Sequence, residues 1–269
     1  MHWDNTMSSA AEIRKRILRI IHQSRASHIG SSLSVVEILN AIYSIVDLKK
    51  ILLQQNDRDR VILSKGHAAA ALYAVLNHYG LMDDKTLDTY YQNNSVLGGH
   101  VSHSVNCVEH STGALGHGLA VGVGMAVGLR SKKLNGRVFV VTGDGEMHEG
   151  SNWESLMLAG HLRLGNLCVL VDNNKLGGVG PTKNCCSLDS LSDKFKAFGI
   201  EGYNVDGHSE KEITDILHYT SKNDKPVGIV CHTVKGKGVS FMEHENVWHY
   251  RPPDKEAYDM AIKEIEKEN

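Results

Sequence analysis

Proline is scarce in this chain, at 4 of 269 residues, and aromatic side chains make up only 6%. No stretch reads as a flexible linker, and there is no internal repeat or low-complexity tract. No apolar run reaches the roughly 20 residues of a membrane span, because Lys, Arg, His or Asp interrupts every candidate. The formal charge of -2 leaves no net positive field for a polyanion, so nucleic-acid binding is not expected. The opening Met1-His2-Trp3-Asp4-Asn5 lacks the basic and then apolar layout of a secretory signal, and a cytoplasmic location is the expectation. The 5 cysteines include no C-x-x-C, and only Cys185 and Cys186 are close neighbours, so reduced thiols are expected rather than a metal knuckle or a disulfide framework.

What the chain does have is glycine, 26 residues of it, which lets backbone approach ligands and neighbouring helices closely. Ile13, Ile17, Leu18, Ile20 and Ile21 form a helical stripe among Arg14, Lys15, Arg16 and Arg19. A second helix is expected to start at Ser34, with Glu37 completing a capping box. Three continuous apolar runs, Val138 to Val141, Leu167 to Val171 and Gly228 to Cys231, read as strands buried on both faces. A helix from about Asn152 to His161 separates the first two, and one opened by Ser209 and Glu212 separates the second and third. Strand–helix alternation predicts an α/β fold, a parallel sheet flanked by helices, with residues 1–269 forming a single domain. The Gly/Ala-rich segment from Gly116 to Leu129 reads as a helix packed closely on all sides.

In open α/β sheets ligands bind beyond the carboxyl ends of the strands. After the first run comes Thr142-Gly143-Asp144-Gly145-Glu146, and after the second Asp172-Asn173-Asn174-Lys175-Leu176-Gly177. Glycines on either side of Asp144 permit a sharp turn and leave room for a bulky anion. Asp144 and Asn174 supply two hard oxygens, and a nearby backbone carbonyl a third. Phosphate oxygens and water would complete an octahedron around magnesium (Mg2+). His100 and His103 are within chelating reach in principle, but no strong third ligand lies nearby.

Gly143-Asp144-Gly145 followed, after twenty-seven residues, by Asn173-Asn174 resembles the thiamine-diphosphate motif. Ser27-His28-Ile29-Gly30, Leu63-Ser64-Lys65-Gly66-His67-Ala68, Gly98-Gly99-His100 with Ser111-Thr112-Gly113-Ala114-Leu115-Gly116-His117-Gly118, and Thr233-Val234-Lys235-Gly236-Lys237-Gly238 with Trp248-His249 narrow the resemblance to the transketolases. It covers nearly the whole chain and implies a thiamine-diphosphate-binding fold of the diphosphate-binding type. It implies that His67, Gly113, Ala114, Leu115, Gly145, Asn174, His249 and Glu149 bind thiamine diphosphate. Asp144, Asn174 and the carbonyl of Leu176 would hold the metal. His28, His100 and His249 would face the sugar as the catalytic histidines, imidazole being the group that titrates near neutral pH. The sequence departs from the family pattern at His117, commonly Gln, and at Ile29, commonly Pro; neither change removes a metal ligand.

Ser151 and Glu154 form a third capping-box pattern, while the resemblance sets Glu149 and Glu154 near a subunit boundary. The Lys235 and Lys237 pair reads either as a solvated loop or, given Gly236 and Gly238, as a close approach to cofactor or phosphate. In the family the glutamate that activates the cofactor comes from a second domain of similar fold. The resemblance therefore implies that the partner is a transketolase C-terminal subunit, in a heterodimer or heterotetramer, with sugars or sugar phosphates as substrates. Other thiamine-diphosphate enzymes, such as a deoxyxylulose-phosphate synthase or a 2-oxoacid dehydrogenase component, should show different residues at His28, His100 and His249. A non-catalytic regulatory subunit would be free to lose Asp144 and Asn174. A nicotinamide-binding fold lacks its G-x-G-x-x-G here.

Overall fold

The computed structural model describes residues 9–220 and 224–267; the opening pentapeptide and the last two residues of the charged tail lie outside them. The chain begins with α1 (Ser9–Ser24), α2 (Ile29–Ser34), α3 (Val36–Ile45) and α4 (Leu48–Leu52) before β1 (Arg60–Leu63). Then come α5 (Ala69–His78), α6 (Asp84–Leu87), α7 (Gly118–Ser131), β2 (Val138–Gly143), α8 (Gly150–His161) and β3 (Leu167–Asn173). The last third holds α9 (Leu191–Ala197), β4 (Glu201–Asp206), α10 (Glu210–Thr220), β5 (Val227–His232) and α11 (Lys255–Lys267).

The five strands form one parallel sheet in the order β1-β2-β3-β5-β4. Alternate side chains of each strand point to opposite faces. Phe139, Val141, Cys168, Leu170, Ile229 and Cys231 accordingly enter the core beneath α1, α2, α3, α5, α10 and α11. Val138, Val140, Val169 and Val171 enter the core beneath α7, α8 and α9. Both faces are dry, so the inner strands read as unbroken apolar runs. The sequence showed no strand at β1 or β4, and these are the two sheet edges. β1 has only four residues, and β4 (Glu201-Gly202-Tyr203-Asn204-Val205-Asp206) is half-exposed and polar, so neither carries that signature.

Three helix expectations are corrected. Ser34 does not cap a helix: it ends α2 and its hydroxyl donates to Asp172 Oδ2 at 2.6 Å, while Glu37 faces Arg14. Ser151 lies inside α8 and donates to the Gly116 carbonyl at 2.7 Å, which leaves Glu154 exposed and not part of a cap. The Ser209 pattern is half a box: Ser209 Oγ accepts from the Glu212 amide at 3.3 Å, but Glu212 receives the Asp206 amide at 3.1 Å instead of that of Ser209.

Helix α7 starts at Gly118 and is not packed on all sides. Leu119, Gly122, Val123, Ala126 and Leu129 are buried, whereas Ala120 and Gly124 are exposed. Gly122 is the contact that lets α7 lie on the sheet, since a Cβ there would come within 2.4 Å of Val140 Cγ2. Gly122→Val should therefore overpack this seam and destabilise the chain by about 1–3 kcal/mol, measured by urea unfolding. An unchanged denaturation midpoint would show that α7 can lift from β2 at no cost.

Candidate functional site

At the carboxyl ends of β1, β2 and β3 a buried polar network holds the backbone in place. Asp172, fully buried at the end of β3, pairs with the ammonium of Lys65, which follows β1. Asp172 also accepts from Ser34 Oγ at 2.6 Å, from Thr233 Oγ1 and, at 3.4 Å, from Asn174 Nδ2. Burial opposes its charge, but Lys65 and these donors outweigh burial and hold its carboxyl below the usual range. Lys65 Nζ donates in addition to the Ser31 carbonyl at 3.2 Å. A second buried carboxylate, Glu146, gathers Ser64 Oγ, the Gly116 amide at 2.9 Å and the Gly143 amide at 3.2 Å. It joins the end of β1, the end of β2 and the 111–117 loop.

Upon this frame sit three oxygens of hard character. Asp144 Oδ1 accepts from the Gly145 amide at 2.8 Å, and Oδ2 from the Lys175 amide at 2.6 Å and Thr182 Oγ1 at 3.4 Å. It is 3% exposed, and burial with the charge of Asp172 raises its carboxyl above the ordinary value. Among the described residues its hydrogen bonds come from amide and hydroxyl donors, with no ammonium or guanidinium. Asn174 turns its Nδ2 inward to Ser34 and Asp172, leaving Oδ1 to accept the Leu176 amide at 3.0 Å. Between them Lys175 has φ of 63°, reversing the chain. Asp144, Asn174 and Leu176 all line one cleft of about 360 Å³. Gly113, Gly143, Gly145, Gly177 and Gly178 line it too, so peptide surface stands where side chains would otherwise fill it. A buried carboxylate with no ammonium or guanidinium bonded to it among the described residues, two further oxygens and a glycine-walled space fit a hard divalent cation and a bulky anion.

The same cleft brings together four histidines from distant segments. The His28 ring lies 5.3 Å from that of His67, 5.6 Å from His100 and 4.9 Å from His249. His28 has φ of 71°, and its amide donates to the His249 carbonyl at 2.9 Å, fixing two of the four relative to each other. Burial, then neighbouring imidazole and ammonium charge, lowers His28 to about 4. Burial and Lys235 lower His249 to about 3. His67 is pushed well below its ordinary value and His100 is lowered, in both cases chiefly by burial.

Lys235 is buried, not solvated: its Nζ lies 3.2 Å from the Leu176 and Gly177 carbonyls and 3.1 Å from His249 Nδ1. Lys237 instead points outward toward Glu243, at 3.5 Å. Lys65, Ser31, Gly178, Thr182 and Cys185 also line the cleft and were not singled out from the sequence. Lys65 stands two residues after β1, level with Gly143 at the end of β2, a signal hidden because β1 did not read as a strand. Ala114 is exposed and does not line the cleft, and Glu149 is exposed at the start of α8, beside Gly116. His103 pairs with Ser111 Oγ at 2.6 Å, and no group of three metal-binding His, Cys, Asp or Glu side chains occurs among the described residues. All five thiols are free. A wider cleft of about 760 Å³ lies alongside, sharing Asp144, Asn174, Leu176 and Thr182 but none of the four histidines.

A parallel sheet whose carboxyl end presents hard oxygens, glycine-lined space and clustered imidazoles has the chemistry of a cofactor-binding α/β domain. Residues 6–263 match the family model described as "Transketolase, thiamine diphosphate binding domain", and the chain belongs to that family. It is 38% identical over 269 residues to an apulose-4-phosphate transketolase subunit of Phocaeicola vulgatus, covering 95% of this chain and 94% of that one. It is 37% identical over 262 residues to the 6-deoxy-6-sulfo-D-fructose transketolase subunit SqwG of Clostridium sp., covering 95% and 94%. Among solved structures, the transketolase of Campylobacter jejuni superposes with a TM-score of 0.88 at 28% identity, over 96% of this chain. The match spans 42% of that chain.

The depressed histidines set a pH dependence. Their folded values lie below the ordinary 6.5, so between those values the unfolded chain binds protons that the folded chain does not. Their contribution to stability is thus complete above about pH 6.5 and is lost as pH falls from there through about 4 for His28 and about 3 for His249. The melting temperature should drop across this window, and less steeply in His28→Asn and His249→Asn. Equal slopes in wild type and both variants would mean that these rings titrate normally.

Proposed function

We propose that this chain is the thiamine-diphosphate-binding subunit of a two-subunit transketolase that moves a two-carbon ketol unit from a ketose to an aldose. One observation carries the two-subunit reading. Among the described residues, the carboxylates lining the cleft are Asp144 and Glu146, and both are committed to hydrogen bonds within this chain. The glutamate that the cofactor's aminopyrimidine needs comes, on this reading, from a transketolase C-terminal subunit. The exposed Ala120 and Gly124 of α7, and Met157 and Leu158 of α8, two helices that pack together, offer a surface on which that partner can dock. Two copies of each subunit is the assembly we favour.

Asp144, Asn174 and the Leu176 carbonyl hold Mg2+, and the backbone at Gly113, Leu115 and Gly145 accommodates the diphosphate. When bound, thiamine diphosphate supplies a nucleophilic carbon and an electron sink for breaking and forming a carbon–carbon bond. The residues of this chain exclude water around it and handle protons. His67 lines the cleft with its ring 5.3 Å from that of His28 and 5.5 Å from that of His249, and contacts the cofactor there. His28, His100 and His249, uncharged at pH 7, face the substrate hydroxyls, and His249, whose Nδ1 accepts from the Lys235 ammonium at 3.1 Å, presents its Nε2–H as a donor. Sugars ending in phosphate or a similar anion are the substrate class, in keeping with the apulose-4-phosphate and sulfofructose named for its relatives. No helix among the described residues is long and apolar enough to cross a membrane, and we place the enzyme in the cytoplasm.

Purified alone with saturating thiamine diphosphate and Mg2+, the chain should show no ketol transfer, and adding the C-terminal subunit should restore it. In the restored complex, Asp144→Ala should abolish Mg2+-dependent cofactor binding, read by calorimetry. His249→Ala should keep cofactor affinity but lower turnover by ~10²–10⁴. Full activity from the isolated chain would overturn the two-subunit reading, and undiminished affinity in Asp144→Ala the metal assignment.

A further inference from the structure

Away from the cleft, three ionisable side chains meet in the interior where nothing in the proposed reaction uses them. Arg14 of α1 is 6% exposed and Glu37 of α3 is 5% exposed. They form a two-pronged pair, Nη1 to Oε1 at 2.7 Å and Nη2 to Oε2 at 2.9 Å. His208, in the turn between β4 and α10, completes the group with its Nδ1 at 3.0 Å from Glu37 Oε2. A buried ion pair is often no better for stability than well-packed apolar groups of the same volume, so its outward contacts bear on what it does.

The outward contacts of the group supply one. His208 Nε2 lies 2.8 Å from the Val234 amide, and Arg14 Nε donates to the Lys237 carbonyl at 3.0 Å. The group thus holds both ends of the 234–237 turn. An amide can donate only to a ring nitrogen with a free lone pair, so Nε2 accepts from Val234 and Nδ1 carries the proton directed at Glu37. Within the turn, Gly236 has φ of 86° and donates to the Gly30 carbonyl at 3.0 Å. A Cβ at Gly236 would stand 2.2 Å from the Met242 carbonyl oxygen, so the turn is closed in from that side as well. The side chain projected from this held turn is Lys235, whose Nζ touches the Leu176 and Gly177 carbonyls and His249.

We infer that Arg14, Glu37 and His208 form a positioning unit that fixes the 234–237 turn, and through Lys235 fixes the carbonyl of Leu176 and the ring of His249 at the cleft. The inference rests on the reading of Leu176 as a metal ligand only in its last step. Outer partners of metal ligands commonly change affinity by about 10–100-fold when removed.

The test compares His208→Phe, which keeps ring bulk without an acceptor, with His208→Gln, whose amide oxygen can accept from Val234. Hydrogen exchange on the full chain reads the Val234–Lys237 amides, and calorimetry on the complex with the C-terminal subunit reads thiamine diphosphate affinity in Mg2+. His208→Phe should lose protection at Val234 and bind the cofactor ~10-fold more weakly, and His208→Gln should return both to within ~3-fold of wild type. Nitrogen NMR of the wild-type chain at pH 7 should show His208 protonated at Nδ1 and bare at Nε2. Unchanged exchange in His208→Phe, an Nε2-protonated ring, or equal losses in both variants together with a lowered melting temperature would each overturn the inference. If the wild-type complex bound no thiamine diphosphate, the proposed function would fall, and the exchange and NMR results would still decide the positioning role.

Discussion

Lys65 and Asp172 face each other across the carboxyl end of the sheet, both essentially without solvent contact, and three segments are tied to that pair. Ser34 brings α2, Thr233 brings the chain leaving β5, and Asn174 brings the turn after β3. Removing one member would leave the other charged and buried, a loss of about 3–5 kcal/mol in comparable sites. The pair also settles orientation. Because Asp172 is an acceptor, Asn174 must turn its NH₂ inward, and its oxygen is thereby left on the cleft side beside Asp144. A charge that never reaches the cleft decides which atom of the neighbouring amide does.

The same arrangement explains the electrostatic character of the cleft. Burial depresses the His28 and His249 rings, and the positive charges of Lys235 and Lys65 add to its effect, so the rings remain neutral. Lys235 itself is lowered to about 8, by burial and by Lys65. Asp144 departs in the opposite sense, held above its ordinary value by burial and by Asp172. Neutral imidazoles and a carboxylate raised by burial both gain from a ligand that carries anion and cation together.

The inner sheet was legible because β2, β3 and β5 are covered on both faces and need apolar residues at every position. The edges β1 and β4 were not, since exposure relaxes that demand. In the site, Gly143-Asp144-Gly145 and Asn173-Asn174 could be read because those donors act through their own backbone turns. Lys65, Asp172 and Glu146 could not, because their partners lie far off in sequence: 107 positions separate Lys65 from Asp172, and 82 separate Ser64 from Glu146. Ser34 shows the ambiguity most directly. Its spacing to Glu37 suits a local cap, yet each found a stronger partner elsewhere, Asp172 for one and Arg14 for the other. Local pattern proposes such bonds and tertiary packing reassigns them.

Helix α7 is thin on both sides, and the two sides answer to different requirements. Inward, Gly122 is fixed by Val140, and any side chain there presses on the sheet. Outward, a Cβ at Gly124 or Gly128 meets nothing within 4 Å in this chain. Larger residues at these two positions leave the chain's own packing undisturbed, yet they would set how near any neighbouring surface can approach. Selection for stability of the chain alone would be blind to Gly124 and Gly128, while selection for a close-fitting neighbour would act on them directly.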